Sequence, residues 1–577
     1  MDKRWVVKDK IDLNKKDVSE DIIDRLLAIR GVESDKEKDE FLRAGKAMDI
    51  SIKEFGIDKR ELEKSLKRLK KAYEKREKVV IYGDYDADGI TGTAILWEVL
   101  YELGFDVLPF IPRRSEGYGL TEKGIKRIKK KIGDLSLIVT VDNGIVAKKG
   151  IEICKKMGVE VVVTDHHLKE KGKLGASGVV HTTKLSGSGV AWVLAREVVK
   201  MMKGRVDVES YLDLACLGAI TDMIAVVGPN RSIVKDGLEV MRKTRRVGTL
   251  EIARQAGVDI KSVGTYEIGY MIGPRLNAMG RIDEAMDSLR ALCVKDKGKA
   301  REYARILGEK NRDRQEMTDK MSKSAREMAK VDKDKKVFVI SRSDFDCGVI
   351  GLVAGKVCDS FYRPAVVVCE SEGVLKASAR SIEGINIIEE IRKFKEILLD
   401  CGGHPMAAGF SMDVDKLDEF REGLEREIEK YDEAIFEKRL YIDLQIRLGD
   451  VDYKLYEKLL KLEPYGIGNK QPVFMVRGVR VFDKRVVGNG MNHLKLKLDD
   501  PKTKKEENIE GEVPYSTDLL SYMDTIGFWL GFKGADIGLG DLVDVAFTIC
   551  ENEWNGKKSL QLVLKDIRRE EKKPDPK

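Results

Sequence analysis

The sequence has 577 residues, a length that predicts about three to five domains and excludes a single compact core. Hydrophobic residues make up 42% and charged residues 36%, which excludes a wholly disordered chain, and a net charge of +7 is too small at this length to establish a nucleic-acid partner by itself. No apolar run approaches the roughly 20 residues of a membrane span, no secretory apolar core follows Met1-Asp2-Lys3-Arg4, and the eight cysteines form no C-x-x-C pair. A soluble, cytoplasmic protein with no membrane association and with reduced core thiols is expected.

Residues 1–76 read as a charged helical region, with Lys59 to Lys78 as a largely solvated helix. From Val79, short β-branched runs alternate with helical stretches: Val79-Val80-Ile81-Tyr82, Ile138 to Val141 and Val159 to Thr164. That alternation predicts a parallel-sheet α/β domain over 77–290, with its site at the carboxyl ends of the strands. Residues 291–336 lack proline and space Ala300, Ala304, Leu307, Met321 and Ala325 as one face of a connecting helix. A second α/β domain is expected over 337–435. Short strands separated by turn residues predict a small β-barrel over 436–570, and the charged tail 571–577 is expected to be disordered.

The first strand runs straight into Gly83-Asp84-Tyr85-Asp86-Ala87-Asp88-Gly89, which crowds three carboxylates into five residues. Such crowding at the end of a buried strand is costly without cations, although a solvated helix cap uses the same residue types. The next strands end in Asp142-Asn143-Gly144 and Asp165-His166-His167, and a fourth apolar segment ends in Asp222. Successive strand ends thus bring carboxylates and imidazoles to one sheet edge, with no cysteine nearby. This donor set suits Mn²⁺ or Mg²⁺, and two such ions about 3.5 to 4 Å apart serve phosphodiester hydrolysis.

In order and spacing these four segments resemble the motifs of the DHH phosphoesterases. Pro112-Arg113-Arg114, Gly117-Tyr118-Gly119-Leu120, Gly273-Pro274-Arg275-Leu276-Asn277, Gly280-Arg281, Ser378-Ala379-Arg380-Ser381, Gly402-Gly403-His404 and Pro464-Tyr465-Gly466 narrow the likeness to the RecJ single-strand-specific exonucleases. The resemblance spans roughly residues 77 to 570. It implies a DHH catalytic domain, a DHHA1 substrate-binding domain and an OB-like nucleic-acid-binding domain in the three predicted regions. It also implies that Asp86, Asp88, Asp142, His166 and Asp222 hold two Mn²⁺ ions, with Mg²⁺ a weaker substitute and Asp142 bridging. Asp84 is then an auxiliary ligand, and His167 faces the scissile phosphate. Where the family commonly carries histidine this chain has Tyr82, a poor ligand at neutral pH.

Arg114, Arg275, Arg281 and Arg380 stand in glycine-bounded loops, where guanidinium groups match phosphate oxygens, although each alone serves equally well in a surface salt bridge. Asn277, Ser378 and Ser381 accompany them in the same motifs. Gly403 and His404 lie in a predicted turn that lets backbone approach a phosphate. His181 fits no pattern. His493, Lys495 and Lys497 alternate onto one barrel face, and Tyr465, Phe474, Phe482 and Trp554 either stack on bases or fill the barrel.

The implied activity is 5′ to 3′ hydrolysis of single-stranded DNA in repair, recombination or replication, beside a replication or repair protein partner. RNA, short oligonucleotides or cyclic dinucleotides remain alternative substrates, as does an inactive Cdc45-like scaffold.

Overall fold

In this computed structural model, which describes residues 3–12, 18–117, 119–170, 172–332, 334–501 and 522–570, the chain opens with a strand. Strand β1 (Arg4–Lys10) lies parallel to β12 (Arg439–Gln445), with Arg4 opposite Arg439 and Lys10 opposite Gln445. The expected helical region 1–76 is therefore corrected at its start, while helices Ser19–Ile29, Asp35–Arg43 and Lys59–Glu74 lie in the rest of it. Trp5 and Val7 alternate onto one face and pack with Ile442 and Met475, a period of two hidden in a lysine-rich stretch. Helix Ser19–Ile29 follows and buries Ile22, Leu26 and Leu27 in the same core as Leu444 and Phe547. Residues up to Ala44 thus form one compact unit with those from Lys438 onward, and Gly45–Glu437 form another.

In the larger unit helix Lys59–Glu74 is not the solvated helix its charge suggests. Leu62, Leu69 and Ala72 enter the core of the first α/β domain. Arg68 is buried between Glu77 and Glu160, each at 2.7 Å. Strands β2 (Val79–Tyr82), β3 (Val107–Phe110), β4 (Leu137–Val141), β5 (Glu160–Asp165) and β6 (Gly178–His181) form a wholly parallel sheet in the order β3-β2-β4-β5-β6. The order reverses between β2 and β4, and at such a point the loops leaving the carboxyl ends diverge and open a crevice.

Helix Lys297–Val331, about 52 Å long at 1.5 Å per residue, places Ala304 and Leu307 in the first core and Met321, Ala325 and Ala329 in the second. The second sheet contains β7 (Phe338–Ser341), β8 (Ala365–Ser371), β9 (Val374–Arg380), β10 (Leu398–His404) and β11 (Ala407–Asp413), in the order β10-β11-β9-β8-β7. The loop after β7 folds back on β8, and Cys347 is joined to Cys369 in a disulfide with Cα atoms 5.6 Å apart. These two thiols are not the isolated reduced residues that their separation in sequence suggests.

In the smaller unit, β13 (Phe474–Val487), β14 (His493–Asp499), β15 (Met523–Gly527), β16 (Leu542–Trp554) and β17 (Lys557–Arg569) follow β12. The pairing of β13 with β16 closes these five into a barrel. Phe474 fills its core, whereas Phe482 and Trp554 stand exposed, and the Tyr465 hydroxyl donates to Leu459 O at 2.7 Å. Exposed Phe528, Trp529 and Phe532, which gave no sequence signal, lie on this unit too, with Phe528 and Trp529 against His493. The expected tail 571–577, like Tyr118, lies outside the described residues. Among the described residues no helix is long and apolar enough to cross a membrane.

Candidate metal centre

The ends of β2, β4 and β5 deliver their carboxylates and imidazoles to the crevice. Asp86 caps helix Ala87–Glu102, its Oδ1 accepting from Gly89 N–H at 3.0 Å, and Asp88 sits in the first turn. Asp88 also accepts from the backbone of Gly187 at 2.6 Å and Ser188 at 3.0 Å, at the start of helix Gly187–Met202. Two helix N-termini therefore partly offset the negative charge gathered here. Asp142 has a left-handed backbone, φ +61°, which aspartate tolerates better than most residues and which turns its side chain out of the strand. A Cβ at Gly187 would lie 2.4 Å from Asp142 Cβ, so glycine is required for this approach.

His166 Nε2 lies 3.0 Å from Asp142 and 3.4 Å from Asp222. Ligand atoms gather in three overlapping sets, each within 4.8 Å: Asp84, Asp86 and Asp142; Asp88, His166 and Asp222; and Asp142, His166 and His167. Asp84 Oδ1, His166 Nε2 and Asp222 Oδ2 are buried with no hydrogen bond among the described residues. Burial and then neighbouring carboxylates raise Asp84, Asp86 and Asp142 above the ordinary carboxylate range, and Asp222 is pushed up to about 9. Buried oxygens and an imidazole nitrogen that converge, repel and lack donors fit hard divalent cations.

Tyr82 is not among these groups. Its hydroxyl donates to Gly119 O at 2.9 Å and its ring stacks on Phe110, while burial raises its pKa further above the ordinary phenol value. Asp84 is the residue from β2 that reaches Asp86 and Asp142 in its place.

Asp165, to which the sequence reading gave no role, accepts from the backbone of His166 at 2.7 Å and of His167 at 3.1 Å, and lies 2.8 Å from His167 Nδ1. Burial alone would lower His167, but the hydrogen bond and charge of Asp165 raise it. His181 likewise gains a purpose, its Nε2 lying 2.7 Å from His167 O. The acidic first residue of the Asp-His-His triplet was the available signal.

Beside Asp84 and Asp86 opens a cavity of about 650 Å³, lined by Arg114, Asn277, Arg281, Ser378 and Arg380. Burial and the nearby Arg114, Arg314 and Arg380 push Arg281 down to about 10, so the cations here repel one another until an anion enters. Arg380 Nη1 donates to Ser378 Oγ at 3.2 Å and Ala379 O at 2.8 Å. A Cβ at Gly351 would come 3.1 Å from Arg380 Nη2, so the glycine keeps the guanidinium accessible. Asn277 has a second task, its Oδ1 accepting from Ala87 N–H at 2.7 Å.

Four expected phosphate contacts are not brought to this cavity. Arg275 turns back to Met271 O and to Gln255 Oε1. Ser381 is buried, its hydroxyl donating to Ile385 O at 2.8 Å. Gly403 and His404 end β10, opposite Ala408 and Ala407, exposed but outside the cavity lining. Their motifs are adjacent in sequence to lining residues, but alternation along a strand and rotation along a helix turn them elsewhere.

Residues 78–219 match the DHH family, N-terminal domain, residues 334–430 the DHHA1 domain, and residues 442–566 the RecJ OB domain. A single-stranded-DNA-specific exonuclease RecJ of Thermus thermophilus is 32% identical over 512 residues, covering 87% of this chain and 70% of its own length. The chain belongs to the RecJ family. The Bacillus subtilis RecJ is 33% identical over 516 residues, and there the match spans 62% of the relative's length. A crystal structure of Thermus thermophilus RecJ in complex with Mn²⁺ superimposes with a TM-score of 0.81 at 28% identity, covering 98% of this chain and 80% of that one. The RecJ architecture thus accounts for both α/β domains and the barrel.

The acidity of the centre has a measurable consequence. Asp222 titrates near pH 4 when unfolded but near 9 in the folded, metal-free protein, so the folded state retains a proton that the unfolded state releases. Stability from this source is full below about pH 4 and is lost as pH rises toward 9. His167, raised in the fold, acts in the same direction, while His166, lowered by burial, opposes it only on the acid side. With a chelator present, the melting temperature is expected to fall between pH 6.5 and 9, and Mn²⁺ is expected to raise it more at pH 9 than at 6.5. A melting temperature that stays level or rises over this window in chelator contradicts the assignment.

Proposed function

We propose that this RecJ-family chain is a metal-dependent exonuclease that hydrolyses the phosphodiester bonds of single-stranded DNA from the 5′ end. It acts in the cytoplasm in repair, recombination or replication, beside proteins of those processes. One observation carries the reading: Asp84 and Asp86, members of the converging carboxylate set, line the same cavity as Arg114, Arg281 and Arg380. A strand whose 5′-terminal phosphate occupied those arginines would present its first internal phosphodiester to the carboxylates. The names and the Mn²⁺ complex of the Thermus relative support the same substrate and cation.

In this reading Asp84, Asp86, Asp88, Asp142, His166 and Asp222 hold two Mn²⁺ ions. The chemistry such ions supply is a water acidic enough to attack at neutral pH and positive charge opposite the leaving oxygen. The protein's own groups orient and exclude. His167, fixed through Nδ1 by Asp165, keeps its other ring nitrogen for the scissile phosphate and donates to a non-bridging oxygen as charge develops. The cavity arginines hold the end of the strand, and binding energy at a terminus selects ends over internal bonds.

The test is digestion of end-labelled single-stranded DNA and RNA of matched sequence. With Mn²⁺, mononucleotides are expected first from the 5′ end of DNA. Mg²⁺ at equal concentration is expected to be slower, because the His166 nitrogen suits Mn²⁺ better. Release from the 3′ end, faster digestion of RNA, or equal rates with Mg²⁺ would each overturn the corresponding part of the proposal.

A further inference from the structure

Tyr266 and Tyr270 lie one helical turn apart and leave 63% and 73% of their surfaces exposed, with ring centroids 4.9 Å apart and planes inclined at 30°. Large aromatic side chains on a soluble surface carry an apolar cost that a binding partner removes. Their location is specific. The segment Ile268–Ile272 that carries Tyr270 is wound as a π turn, a departure from regular helix found often at functional sites. That segment packs against the turn bearing Asp222: a Cβ at Gly269 would lie 3.6 Å from Ile220, and one at Gly273 only 2.2 Å from Thr221. Met223, directly after Asp222, is 65% exposed with a left-handed backbone, φ +60°.

The same run of helix continues through Gly273–Ile282 to Asn277 and Arg281 in the arginine cavity. Tyr266 and Arg281 are about 22 Å apart along that axis at 1.5 Å per residue. The cavity adjoins Asp84 and Asp86, whereas the segment that carries Tyr270 packs through Gly269 and Gly273 on the helix end that precedes Asp222. One continuous helical run thus touches both the arginine cavity and the Asp222 turn, and a strand held at its 5′ end and cleaved near that end would pass along it.

We propose that Tyr266 and Tyr270 are a stacking platform for the nucleobases on the 3′ side of the cleaved bond, and that they set how tightly a strand is held between successive cleavages. This rests on the exonuclease reading and adds a binding element to it. Every base offers a π face, so such a platform grips single strands without reading sequence, and two rings in series engage neighbouring bases. Duplex DNA, with its bases already stacked on each other, gains nothing from it.

The experiment compares the full-length protein with Tyr266→Ala/Tyr270→Ala and with Tyr266→Phe/Tyr270→Phe. Binding of a fluorescein-labelled 20-nucleotide strand is followed by anisotropy in Ca²⁺, and initial rates are measured in Mn²⁺. The alanine pair is expected to weaken binding by about thirtyfold or more, from two stacking interactions lost, and to raise KM more than it lowers kcat. The phenylalanine pair, which keeps both rings, is expected to bind as the parent does. Strands with abasic sites two to four nucleotides from the 5′ end are expected to bind the parent about tenfold more weakly and the alanine pair no more weakly than intact strands.

Unchanged binding by the alanine pair, or an undiminished penalty for abasic sites, overturns the proposal. It would also reassign the tyrosines to a protein contact if the alanine pair lost only a pulled-down partner. Binding in Ca²⁺ does not depend on turnover. Failure of the exonuclease reading, shown by a parent protein that binds strands but never cleaves them, is thus distinguishable from failure of the platform.

Discussion

Substituting Asp142 is expected to reduce nuclease activity by about a thousandfold or more while leaving the fold intact. Its carboxylate belongs both to the Asp84–Asp86 set and to the set with the two histidines, so its loss weakens two of the three ligand sets in the crevice at once. Asp142→Asn is the sharper variant because asparagine also tolerates the φ of +61°, whereas alanine adds backbone strain of about 1 kcal/mol or more. In the metal-free state Asp142→Asn is expected to melt at a higher temperature than the parent. Burial together with Asp88, Asp86 and Asp222 already makes the parent carboxylate unfavourable when charged. Thermal melts in chelator and rates on 5′-labelled strands in Mn²⁺ check both halves. Substantial turnover by a folded Asp142→Asn protein would sink the shared-ligand assignment.

Arg380→Ala is expected to reduce the preference for 5′-phosphorylated over 5′-hydroxyl strands at a cost of about 1.5 to 3 kcal/mol, or roughly 10- to 150-fold. Arg380 is half-buried at the end of β9, and its described hydrogen bonds go to Ser378 Oγ and Ala379 O, not to a carboxylate. A terminal phosphate carries more charge than an internal diester, so a guanidinium already oriented by a hydroxyl and a carbonyl separates an end from the middle of a strand. Metal-induced stabilisation is expected to be unaltered. Initial rates on matched 5′-phosphate and 5′-hydroxyl strands decide the matter, and an unchanged ratio of the two would place the terminal phosphate elsewhere.

Most of the centre was legible because its residues follow strand ends, where one short segment fixes both identity and position. Asp86, Asp88, Asp142 and His166 follow β2, β4 and β5 of one parallel sheet, whereas Asp222 comes from the carboxyl end of helix Leu212–Thr221. Arg275, Ser381 and His404 stand outside the cavity lining because a motif states which residues are adjacent and not which way each side chain points. Within Ser378-Ala379-Arg380-Ser381, alternation along β9 sends Ser378 and Arg380 to the cavity, while Ser381 beyond the strand turns inward. Tyr266 and Tyr270 escaped notice for a different reason. At helical spacing, tyrosines read as core, and only measured exposure separates a core ring from a presented one. The amino-terminal strand is masked by its charged residues, since the short alternation of Trp5 and Val7 counts for little beside so much charge.

The parallel pairing of β1 with β12 also sets an order of events. β1 leaves the ribosome long before its partner, which lies more than four hundred residues later in sequence, so at typical synthesis rates of 5 to 20 residues per second it stays unpaired for roughly 20 to 90 s. The intervening unit, Gly45–Glu437, holds its own cores and can complete folding during that interval. The smaller unit cannot, because both ends of the chain contribute to its sheet. Its closure depends on contacts of the highest sequence separation in the molecule, which makes it the slow and final step of maturation. A nascent or prematurely ended chain would therefore carry a finished catalytic unit together with a bare β1 edge, a species prone to pair with other strands and readily recognised by chaperones and proteases.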